Sequence, residues 1–116
     1  MNKITLTINN KKLDFYFGLG FLGNALEDIG IGIDELGVKL TSNPFLYAPK
    51  LMYYSLEYGY IRKGKDFNMS LESFIDELDK DKSFINGNIG KFLDAFTKSL
   101  TKDVPIDKGN SESKKK

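Results

Sequence analysis

The chain contains no histidine and no cysteine. That removes the usual proton shuttle, the base of a serine triad, the thiolate nucleophile and the commonest zinc ligands together. What remains for chemistry is carboxylate, lysine and a glycine-rich loop. Gly18-Leu19-Gly20-Phe21-Leu22-Gly23 has the G-x-G-x-x-G spacing of a phosphate cradle between a strand and a helix. A dinucleotide site also needs a parallel βαβ unit, with an acidic residue about 20 residues further on to hold the ribose. The stretch there is Val38-Lys39-Leu40-Thr41-Ser42, which has no acid. The glycines are therefore read as close strand-to-helix packing with a tight turn, and no cofactor is expected.

Asp79-Lys80-Asp81-Lys82-Ser83 opens like a calcium loop, but Phe84 and Gly90 stand where that loop requires glycine and glutamate. A solvated helix end is the better reading. Asp76, Glu77, Asp79 and Asp81 lie among lysines, with no sign of the cleft that parts the pKa values of catalytic acids. The expectation is a protein that is not an enzyme and holds no metal.

The placement of tyrosine points to binding instead. Tyr47, Tyr53, Tyr54, Tyr58 and Tyr60 are five of the six tyrosines, and all lie on or beside one helical segment. Tyrosine suits interfaces because it joins a large rigid body to a polar tip. Between Phe45 and Ile61 only Lys50, Ser55 and Glu57 are strongly polar, so this helix is apolar nearly all round. Such a helix is either central in a core or covered by a partner. Leu51, Tyr54, Tyr58 and Ile61 fall on one stripe and form the expected partner-binding face, while Met52, Leu56 and Tyr60 fall on another that serves the core.

These residues need elements to position them. Ile4, Leu6 and Ile8, then Leu13, Phe15 and Phe17, alternate with polar neighbours on either side of Asn9-Asn10-Lys11-Lys12, which predicts a β-hairpin with a tight primed turn. An isolated hairpin is marginal in water, so its apolar face must lie on helices. Helical spacing predicts a first helix over about 19–29 ended by Gly30, and a shorter one over about 34–41 capped by Asp34. The tyrosine helix starts either at 44 with a kink or near 49, because Pro49 pushes Ala48 toward extended angles, and it runs to Arg62 or Lys63. Ser70 caps a further helix, and a last one covers about 88–101.

The fold class expected is α+β, mainly helical, with an N-terminal β-hairpin packed on about four to five α-helices. Residues 1–104 make one globular domain, and 105–116, with one large aliphatic side chain among lysines and serines, a disordered tail. With 17 basic against 16 acidic residues there is no broad field for a phosphate backbone, so nucleic acid is not expected. The N-terminus lacks the apolar run of a secretory signal, and no stretch approaches the roughly 18 apolar residues of a membrane span. A cytosolic protein is expected.

The order LDFYFGLGFLGNALEDIG, Asn43-Pro44, PKLMYYSLEYGYIRKGK, SLESFIDELDKD and GKFLDAFTKSL resembles the tail assembly chaperones of long-tailed, siphovirus-type bacteriophages, over roughly residues 3–102. The resemblance lies in order and character rather than in a catalytic signature. It implies a non-virion protein of the host cytoplasm that binds and solubilises the tape measure protein and helps tail tube protein assemble around it. Members of that family are often followed by a ribosomal frameshift, with which Lys114-Lys115-Lys116 is compatible. Self-association is compatible with this reading. The alternative is a small phage regulatory or anti-host protein that binds one defined protein or nucleic acid site, for which Arg62, Lys63 and Lys65 offer a local basic patch.

Overall fold

Asn9 and Asn10 both take positive φ, at 50° and 68°, which asparagine tolerates better than most residues. They make the two-residue turn between β1 (Lys3–Ile8) and β2 (Lys11–Tyr16), and the register pairs Ile8 with Lys11, Leu6 with Leu13 and Ile4 with Phe15. Residues flanking a two-residue turn exchange both backbone hydrogen bonds, and the ladder then alternates. Thr7, Thr5 and Lys3 on one strand, and Lys12, Asp14 and Tyr16 on the other, therefore aim their backbone groups outward. Two of the outward carbonyls receive side-chain donors: Asn88 Nδ2 donates to Thr7 O at 2.8 Å and Ser55 Oγ to Tyr16 O at 2.8 Å. Ser55 and Asn88 are the buried polar side chains of the described residues, and closing these two carbonyls is what they do.

The computed structural model describes residues 3–101, and the predicted tail 105–116 lies outside them. The architecture is mainly helical α+β. After the hairpin come α1 (Leu19–Ile29), α2 (Ile33–Ser42), α3 (Pro44–Arg62), α4 (Leu71–Lys80), a π-helical turn over Phe84–Asn88, and α5 (Ile89–Thr101). Gly30 ends α1 in the left-handed region with its N–H on Leu26 O. The cap of α2 is Gly32 rather than Asp34, because Glu35 reaches back to accept the Gly32 N–H at 2.9 Å. Ser70 caps α4 as expected, accepting from Ser73 N at 3.1 Å.

Helix α3 begins at Pro44 and includes Pro49. Proline at the first helical position costs no hydrogen bond, whereas Pro49 denies Phe45 O its intrahelical donor. Ala48 and Pro49 are both buried, so packing holds this turn helical against the local preference at the residue before proline.

The core is fastened by six phenylalanines. Phe15 lies 6.3 Å from Phe74 and 5.8 Å from Phe92, Phe17 lies 5.6 Å from Phe92 and 6.1 Å from Phe96, and Phe21 lies 6.0 Å from Phe96. β2, α1, α4 and α5 thus meet in one aromatic cluster, most of it edge-on or tilted as ring quadrupoles favour. The hairpin tip is tied separately. Asn9 Nδ2 donates to Glu77 Oε1 at 3.0 Å, and Asp81 Oδ2 accepts from Asn88 Nδ2 at 2.8 Å. Asp81 Oδ1 accepts from the amides of Asn9 and Ser83. Asp81 therefore knots the hairpin to the π turn, more than the solvated helix end suggested by its lysine neighbours.

Candidate partner-binding surface

Leu51, Tyr54, Tyr58 and Ile61 do not form one open face. Leu51 is 0% exposed and belongs to the core, Tyr54 and Tyr58 are half-buried, and Ile61 is 56% exposed. The reason is α1, which packs along this side of α3. A Cβ at Gly18 would come within 2.9 Å of Tyr58 Oη, and one at Gly20 within 2.8 Å of the Tyr58 ring. Two glycines of the G-x-G-x-x-G stretch thus make a notch for a tyrosine, while a Cβ at Gly23 would meet nothing. Arg62 lies over the same ring at 5.9 Å. On the opposite seam Gly59 receives the Tyr16 ring so closely that a Cβ there would overlap it.

Tyr54 sits beside two acids of the α1/α3 seam. Burial first, then the charge of Asp28 and hydrogen bonding to it, push its phenol up to about 12. Burial also raises the Glu57 carboxyl, with Asp28 adding to the shift. Tyr53 turns the other way, donating from its hydroxyl to Met69 O at 2.8 Å and packing on Phe67 and Phe74. The folded state holds the Tyr54 proton up to about 12, whereas a free phenol loses it near 10. The stabilisation from this group is therefore complete below pH 10 and is lost as pH rises through about 12. Denaturant melts across that range should show the fall in stability, and Tyr54→Phe should flatten it. An equal fall in the variant would place its origin elsewhere.

The apolar surface that does remain open is spread over several elements. Leu19 at the start of α1 is 88% exposed, and it joins Phe17, Phe21, Leu22, Phe96 and Leu100 around a groove of about 240 Å³ between α1 and α5. Phe45 and Leu46 overhang the first turn of α3, and Val38 and Ile33 stand out from α2. Tyr60, assigned by its stripe to the core, is at the surface and packs on Phe67 at 5.1 Å. Of the basic patch, Arg62 is engaged with Tyr58, and Lys63 with Asp14 at 3.6 Å and with the Tyr16 ring at 5.1 Å.

Among the described residues no group of three acids, histidines or cysteines is placed to hold a metal ion, and no helix is long and apolar enough to cross a membrane. No family model matches the sequence, and no curated protein and no solved structure shows significant similarity to it.

Proposed function

We propose that this protein is a binding protein rather than an enzyme, acting as a phage tail assembly chaperone in the host cytoplasm. It binds the tape measure protein, keeps that client soluble and assists tail tube assembly around it. The observation that carries the reading is the large apolar side chain left at the surface: Leu19, Ile33, Val38, Phe45, Ile61 and Ile85 are each more than half exposed. Single apolar residues are ordinary on a surface, but Leu19 is joined at the α1/α5 groove by Leu22 and the exposed Leu100, and Ile61 stands on α3 one turn beyond Tyr58. A holdase needs such surface and no pocket for a small molecule. The order of the elements supports the same reading, as set out for residues 3–102.

Exposed positions are the ones to change, since Tyr58→Ser would empty the glycine notch and mix folding with binding. Leu19→Asp with Ile61→Asp should leave the melting temperature nearly unchanged, because neither side chain is in the core. Co-expressed with the tape measure protein, this variant should leave at least about fivefold less soluble client, in line with the loss of interface anchors. A client that stays insoluble with the unmodified chain sinks the chaperone reading, and one that stays soluble with the variant removes these residues from the binding face.

A further inference from the structure

We propose that the outer edge of β1 is a strand-addition site that takes an extended segment of a protein partner, apolar at alternate positions and carrying a carboxylate. Among the described residues the sheet has two strands, so each has a second edge to satisfy. α3 runs beside β2, where Ser55 closes the Tyr16 carbonyl. On β1 Asn88 closes the Thr7 carbonyl, the one outward carbonyl of this strand with a partner among the described residues. The register turns the N–H and C=O of Thr5 and Lys3 outward, and among the described residues neither has a partner there. Lys3, Thr5 and Thr7 are all exposed, and Asn88 covers the edge at Thr7. An open strand edge is a template for another strand, and a two-stranded sheet gains most from a third.

Space and charge fit that occupant. A groove of about 400 Å³ runs along this edge, walled by β1 on one side and by Ser83, Asn88 and Lys91 on the other. From Lys3 to Thr5 the open part of the edge measures about 7 Å at the rise of a strand, enough for backbone pairing at those two alternate residues, the Thr7 carbonyl being taken by Asn88. Ile4, half-buried, and Leu6 bound the groove on the core-facing side of the sheet, so every second residue of an added strand meets apolar surface. Asp81 also borders the groove, but its oxygens already accept from Asn9, Ser83 and Asn88. Lys91 is exposed and has no ion pair among the described residues. The Asp81 oxygens are thus occupied while the Lys91 ammonium has donors to offer, which suits a carboxylate on the incoming strand.

The inference rests on the chaperone reading only in naming the client as the donor of that strand, and the test separates the two. In the free full-length chain, hydrogen exchange should alternate along β1, with Thr5 N–H exchanging at least roughly tenfold faster than Leu6 and Ile8, whose amides lie in the ladder. The probe is the peptide acetyl-Thr-Val-Glu-Val-Thr-Val-amide. Its binding should slow Thr5 exchange by roughly tenfold or more, and methylating the peptide nitrogens at alternate residues should abolish binding in one phase of the alternation and spare it in the other. Thr5→Pro removes an outward N–H without touching the ladder and should block the peptide, while Thr5→Val should not. If Thr5→Pro does not fold, exchange in the unmodified chain still decides. The proposal is overturned if the peptide leaves Thr5 exchange unchanged, if a version with lysine in place of glutamate binds as well, or if Thr5 is protected by raising the protein concentration alone. In a complex with the tape measure protein, a bound client with Thr5 unprotected overturns the edge site and leaves the chaperone reading standing. Failure to form that complex sinks the chaperone reading, and the peptide then judges the edge by itself.

Discussion

Gly59→Val is expected to cost about 3 kcal/mol of stability, the upper range for forcing extra methyl groups into a packed interior. A Cβ alone at this position overlaps the Tyr16 ring. The overlap reaches Cγ at the root of the ring as well as Cδ1 and Cε1, so turning the far end of the side chain does not relieve it. The improvement in helix propensity on leaving glycine is about 1 kcal/mol or less, so the overlap decides the sign. Gly23→Ala is the matched control, since nothing lies within reach of its Cβ and it should stabilise α1 by about 0.5–1 kcal/mol. Urea melts of both variants check the pair. A Gly59→Val chain as stable as the parent would mean that α3 and β2 do not meet at this point.

Asn88→Asp should be at least as damaging at neutral pH, by about 3 kcal/mol, since each buried group left unsatisfied costs about 1–3 kcal/mol. The amide now donates to Thr7 O and to Asp81 Oδ2. A carboxylate in its place donates to neither and sets two negative charges against each other. The loss relative to the parent at the same pH should shrink as pH falls through the carboxylate range, because protonating either acid restores a donor. Equal loss at every pH would show that Asn88 acts through packing alone.

What the sequence made legible was local. Period-two alternation around Asn9-Asn10 located the hairpin, and Gly30 and Ser70 marked helix ends, because these signals depend on neighbours within a few residues. The side of α3 that meets α1 was not legible, since a helix apolar almost all round has no polar face to orient it. Spacing alone puts Leu51 on a binding face and Tyr60 in the core, whereas the structure buries Leu51 and leaves Tyr60 at the surface. Of the two starts that the prolines allow for α3, the structure takes the one at Pro44, because burial of Ala48 and Pro49 outweighs the local preference for extended angles before Pro49. The glycine loop did announce close packing, but its partner, Tyr58, lies some 40 residues away and no local pattern names it. The roles of Ser55 and Asn88 become visible only once the strand register is known, for they answer carbonyls on another element.

The hairpin meets α3 through Ser55 and Gly59, but its ties to α4, the π turn and α5 reach across more than half of the chain. Its tip is bound to Glu77 and Asp81, its edge to Asn88, and its apolar face to Phe74 and Phe92. A ribosome releases the first strands long before those residues exist as peptide, a delay of several seconds at ordinary rates of synthesis. Loop closure over such separations is the slow part of assembling a fold, so the hairpin consolidates late whatever its local preference for turning. Until α5 is made, Leu6, Ile8 and Phe15 have no completed core to enter. A nascent chain stalled or cleaved before that helix is thus the form most exposed to aggregation and to proteases.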